Sequence, residues 1–138
     1  MRAVVRLTDS FRTEIKVDPG LAHTIIADEP AEAGGANTGP TAMGLLAAAL
    51  GACTAATLRS YANLKGIALE SVEVEVEAHR RKPSEQAEAG EGAKATLVTK
   101  KITLKGELTD DQRKRMLEIA EKCPVNRALL QGVDLVHE

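Results

Sequence analysis

Among the side chains able to do chemistry, two thiols stand out: Cys53 and Cys123, the only cysteines in 138 residues. A thiol is a nucleophile only as its thiolate, which needs a cation or hydrogen-bond donors and some access to solvent. Cys123 directly precedes Pro124. Proline is favoured at the first position of a helix, so Cys123 is expected at an N-cap, where free N–H groups and the helix dipole favour a negative sulfur. Cys53 lies in Gly51-Ala52-Cys53-Thr54-Ala55. A thiol among such residues is raised in pKa and inert, and free cysteine is often only a small core hydrophobe. Residue type alone therefore leaves both thiols open between packing and chemistry. If they meet in the fold, one can be oxidised to a sulfenic acid and the other can close a disulfide.

Other chemistries find less support. His23, His79 and His137 are scattered, and no pair of ligands has zinc spacing, so no metal and no cofactor are expected. Ser60 and Thr57 have no local base to make them nucleophiles. Gly39-Pro40-Thr41 could offer helix N–H groups to an anion but lacks the lysine of a phosphate-binding loop. The net charge of -2 provides no basic field for nucleic acid or anionic lipid, and Phe11 and Tyr61 are too few for base stacking. The N-terminus has no long apolar run of a signal peptide. The apolar stretch 42–56 is shorter than the ~20 residues of a membrane span. A cytoplasmic protein is expected, where a permanent structural disulfide is unusual.

The elements that must position the thiols can be read from periodicity. Segments 3–8 and 12–17, parted by Asp9-Ser10, suggest a hairpin, and 22–27 a third strand after the turn Asp18-Pro19-Gly20. Segment 28–40 is a glycine- and proline-rich loop, long enough to favour a functional role. A helix is expected over 41–65, capped by Thr41 and ended near Gly66, and apolar enough around 45–52 to be buried on most sides. Alternation of Val72, Val74, Val76 and Ala78 with Glu73, Glu75, Glu77 and His79 predicts a strand, and 96–108 a second, with Val98, Ile102 and Leu104 inward. Between them, 83–94 reads as a mobile loop. Thr109 and Gln112 form a capping box for the next helix, Pro124 opens a short one that Gly132 ends, and 133–137 is expected as a last strand. The order β-β-β-α-β-β-α-α-β is α+β with antiparallel pairing in one domain over 1–138.

Asp28-Glu29-Pro30, Gly34-Gly35, Gly39-Pro40-Thr41, Leu45–Ala55 and Lys122-Cys123-Pro124-Val125 occur in that order. Together they closely resemble the OsmC-like proteins, the superfamily that includes the organic hydroperoxide reductases. The resemblance implies an intertwined homodimer whose antiparallel sheets wrap around central cysteine-bearing helices. It implies a peroxidatic Cys53, a resolving Cys123, a hydroperoxide substrate and an external dithiol reductant. It also implies an arginine that activates the thiolate and a glutamate near the start of the cysteine helix that holds the arginine.

Here the sequence departs from that pattern. No carboxylate stands around Met43 and Gly44, and a neutral side chain cannot orient a guanidinium bidentately. Glu29 or Glu32 in the preceding loop is the candidate replacement. Arg12 is the candidate activating arginine; Arg59 falls six residues after Cys53, on another helical face. The alternative is a small-ligand-binding or redox-sensing protein on the same scaffold.

Overall fold

The structure is a computed structural model and describes residues 1–137. Its elements are β1 (Ala3–Leu7), β2 (Thr13–Val17), β3 (His23–Ala27), α1 (Ala42–Lys65), β4 (Ala68–Arg80), α2 (Pro83–Glu88), β5 (Thr96–Glu107), α3 (Asp110–Ala120) and α4 (Pro124–Gln131). They fall into two compact units, Met1–Leu46 and Ala47–Glu138, with α1 running through the division.

In the first unit β1, β2 and β3 form an antiparallel meander that aligns Val5 with Ile15 and Ile15 with Ile25. The loop that follows is organised by one buried carboxylate. Asp28 accepts hydrogen bonds from the N–H groups of Glu29 (2.8 Å), Ala36 (3.3 Å) and Thr38 (3.1 Å), and from the Thr38 hydroxyl (2.7 Å). Its own N–H donates to the Pro40 carbonyl at 3.1 Å. The chain folds back so tightly that a Cβ at Gly35 would overlap the Glu29 carbonyl, and one at Gly39 the Ile26 carbonyl. The glycine-rich motif is therefore a consequence of backbone crowding around Asp28. Thr41 then caps α1, accepting from the Gly44 N–H at 3.1 Å.

In the second unit β4 and β5 pair as a long hairpin, with Val72 opposite Leu104 and Val74 opposite Ile102. Of this row, Val72, Ile102 and Leu104 pack with Leu58 and Ala62 of α1, Leu69, and Met116 and Ala120 of α3. Thr109 and Gln112 make the expected capping box at the start of α3.

Three expectations are corrected. The segment 83–94 is not wholly loop. Pro83 fits the first turn of a helix, and the Glu85 carboxylate accepts the Lys82 N–H at 2.8 Å, which stabilises α2. Residues 133–137 form no strand and lie exposed, because no sheet edge pairs with them. Helix α1 is not buried on most sides of this chain; only Leu50, Gly51, Thr54, Leu58 and Ala62 are. One hairpin and one short helix cannot surround a 24-residue helix. Its length and hydropathy match a bilayer-crossing helix, a property that core helices share.

Two predictions follow from these packings. Leu58→Ala removes a side chain with no solvent exposure and is expected to cost about 2–5 kcal/mol, read as a lower urea midpoint at unchanged slope. For Asp28, the Thr38 hydroxyl and N–H, assisted by the Glu29 and Ala36 N–H groups, outweigh burial and hold the carboxyl below its ordinary value. A depressed acid contributes stability that is full above its unfolded pKa and lost as pH falls through the folded one. The melting-temperature gap between wild type and Asp28→Asn should therefore be widest at neutral pH and close on acidification; a gap independent of pH would refute this.

Candidate functional site

The site grows from the start of α4. Pro124 has no N–H to lose at the first helical position, and Cys123 takes the N-cap with extended backbone. From there its sulfur accepts the Asn126 N–H at 3.3 Å, the N-cap-to-N3 bond usually made by Ser, Thr, Asp or Asn. Cys123 is wholly buried. Against it α1 places Thr54, also wholly buried, with Oγ1 at 3.6 Å from the sulfur, and the neighbouring Cys53 thiol lies near the same sulfur. Cys53 is half-buried. The two cysteines, remote in sequence, are thus brought together, and both are free thiols.

A third element contributes a cation. Lys100 of β5 shares the inward parity of Val98, Ile102 and Leu104, and its side chain is only 11% exposed. Its ammonium donates to Asn126 Oδ1 at 3.1 Å and pairs with Glu121 Oε1 at 3.1 Å. Asn126 Nδ2 in turn donates to the Glu121 carbonyl at 3.0 Å and to its Oε2 at 3.3 Å. One asparagine therefore ties the lysine, the glutamate and, through its backbone, the sulfur.

Burial is the largest single influence on the Cys123 thiol and pushes its pKa up. The Asn126 N–H, the Thr54 hydroxyl, the Cys53 thiol and the Lys100 charge together outweigh it and hold the thiol below its ordinary value. The expectation of a thiolate-favouring cap at Cys123 agrees with this geometry. An open cavity of about 640 Å³ adjoins the network: Lys100, Glu121 and Asn126 line its polar side, and Leu50, Leu97 and Leu129 its apolar side.

The other predicted residues lie in the first unit. Arg12 is exposed just before β2, its N–H donating to the Ser10 hydroxyl at 3.3 Å. Glu29 is half-buried, its backbone bonded to Asp28 and Asn37; Glu32 is exposed in a single turn of 3-10 helix at Ala31–Ala33. The first turn of α1 carries no acid. Arg59 is committed to the Leu69 and Glu70 carbonyls, at 2.6 and 2.8 Å.

A family model described as OsmC-like protein matches residues 34–138. The chain belongs to the OsmC-like family. No curated protein matches the sequence. An OsmC-like protein from Mycoplasma pneumoniae superposes with a TM-score of 0.75 at 19% identity, over 96% of this chain and 87% of that one. An organic hydroperoxide resistance protein OsmC from Legionella pneumophila gives 0.65 at 21%, over 97% and 93%. The organic hydroperoxide resistance protein OhrB of Bacillus subtilis gives 0.60 at 20%, over 96% and 92%. At these identities the likeness establishes the α+β fold with antiparallel sheets.

Sequence reasoning about this OsmC-like chain overlooked Thr54, Lys100, Glu121 and Asn126. Two of them left a signal. Asn126 stands three residues after a cysteine read as an N-cap, where its N–H must face the cap. Lys100 interrupts an inward apolar row with a charge, which a strand core rarely accepts without a partner. Nothing in the sequence marks Glu121.

Thr54→Val keeps the shape of the side chain and removes the hydroxyl. In a Cys53→Ser background, the Cys123 Cβ chemical shift followed against pH should then titrate at a higher midpoint. An unmoved midpoint would show that the hydroxyl does not support the thiolate.

Proposed function

We propose that this protein is a thiol-dependent peroxidase that reduces organic hydroperoxides through Cys53 and Cys123. The observation that carries the reading is the nearness of the two sulfurs in the fold, one with solvent access and the other placed where ionisation is favoured. In the first step the Cys53 thiolate attacks the peroxide: its O–O bond breaks, a sulfenic acid forms on Cys53, and the alcohol leaves after taking up a proton. The Cys123 thiolate then attacks the Cys53 sulfur, the S–S bond forms, and hydroxide leaves as water after protonation. An external dithiol supplies two electrons and restores both thiols. The names of the Legionella and Bacillus proteins support organic hydroperoxides as the substrate class.

Arg12 is the candidate for the activating guanidinium, and Glu29 for the carboxylate that orients it. A reducing cytoplasm suits a cycle that needs a dithiol. A homodimer also belongs to this reading: Met43 remains exposed on α1, and so do Ala48, Ala49, Ala52 and Ala56, which are small enough for another backbone to approach closely. One observation favours a non-catalytic ligand-binding or redox-sensing role instead, namely the lack of an acid in the first turn of α1.

Intact-mass measurement after one equivalent of cumene hydroperoxide tests the proposal. The expected result is loss of two hydrogens per chain, abolished by Cys53→Ser and by Cys123→Ser. Unchanged mass with both thiols still free would leave the binding or sensing role in place of catalysis.

A further inference from the structure

The lysine on the inward face of β5 has no evident stabilising purpose. Taking an ammonium out of water is costly, and pairing it returns little when the partner carboxylate is itself well hydrated. Glu121 is such a partner, with 60% of its side chain exposed, while Lys100 is held at 11%. The hydrated acid cancels only part of the lysine's field, and the remainder acts inward, where Cys123 lies wholly buried. The clamp also fixes direction. Asn126 Oδ1 accepts from Lys100 while the Asn126 N–H donates to the sulfur, so the cation and thiol are held by the same residue. The titratable groups facing Cys123 are Cys53 on α1 and Lys100 on β5, with Glu121 beyond the lysine.

We infer that Lys100 is a positioning residue for the thiol chemistry: clamped by Glu121 and Asn126, its ammonium keeps Cys123 as the thiolate that closes the disulfide. The inference rests on the peroxidase reading for its purpose, but not for its test. It assigns the second, resolving sulfur its own source of positive charge, separate from any arginine serving Cys53. No further reactant enters: the lysine remains protonated throughout, and the proton released by Cys123 goes to solvent or to the departing hydroxide.

The test uses thiolate ultraviolet absorbance against pH in a Cys53→Ser background, where Cys123 is the remaining thiol. Lys100→Gln keeps hydrogen bonding toward Glu121 and Asn126 but removes the charge, and Lys100→Met keeps the packing of the stem. Either neutral variant that folds should titrate at a higher midpoint than the parent, and Lys100→Arg should stay close to the parent. With Cys53 restored, disulfide closure at neutral pH should slow as the thiolate fraction falls, by about threefold for each unit by which the midpoint rises above neutral, because the more basic thiolate is also the stronger nucleophile. A neutral variant with the parent's midpoint and melting temperature would overturn the role, as would an arginine variant that shifts as far as the neutral ones. If wild type forms no disulfide with peroxide yet the midpoint still moves, the peroxidase reading fails and the lysine's effect on the thiol stands.

Discussion

The balance struck at the Cys123 sulfur governs the rest of the site. Sealing a thiol from water favours its neutral form, and an apolar pocket alone would leave it inert. This pocket brings in a backbone N–H from α4, a hydroxyl and a second thiol from α1, and an ammonium from β5. Each lies on a different part of the unit, so the charge preference of one atom depends on the packing of three elements. The hydrophobic cluster of Leu58, Met116 and Ala120, with Ile102 and Leu104 packed on it, joins α1, α3 and β5.

Helix α1 shows the same coupling from the other side. Its small residues let β4 lie so close that a Cβ at Gly51 would sit 3.4 Å from Val76 Cγ2, and the residues that follow include Cys53 and Thr54 beside the sulfur. The same small residues leave much of the helix uncovered in one chain. An apolar helix with few large side chains packs well only against something close and extended. That constraint links the chemistry of the site to the question of what covers the helix.

Much was legible from local rules, because caps and strands are written in near neighbours. Thr41, Thr109 and Cys123 each stand at the helix start their residue types indicated, and the glutamate alternation over 73–77 marked β4 correctly. The expected strand at 133–137 failed because β-branched residues form a strand only where a partner edge exists. The loop at 28–40 looked functional by its length, yet its glycines serve the crowding around Asp28. Lys100 is hard to read from sequence because a single inward charge does not disturb the alternation that Val98, Ile102 and Leu104 define.

By itself, the sequence determined the three strands before α1, the β4–β5 hairpin, the helices α1, α3 and α4 and the helix cap that suits Cys123, since each depends on residues within a few positions of one another. Tertiary structure alone decided that Cys53 meets Cys123, that Thr54 joins them, and that Lys100 reaches the same network through Asn126. Contacts across so many residues arise from the joint burial of α1, β5 and α3, and no local spacing encodes where three buried faces will converge.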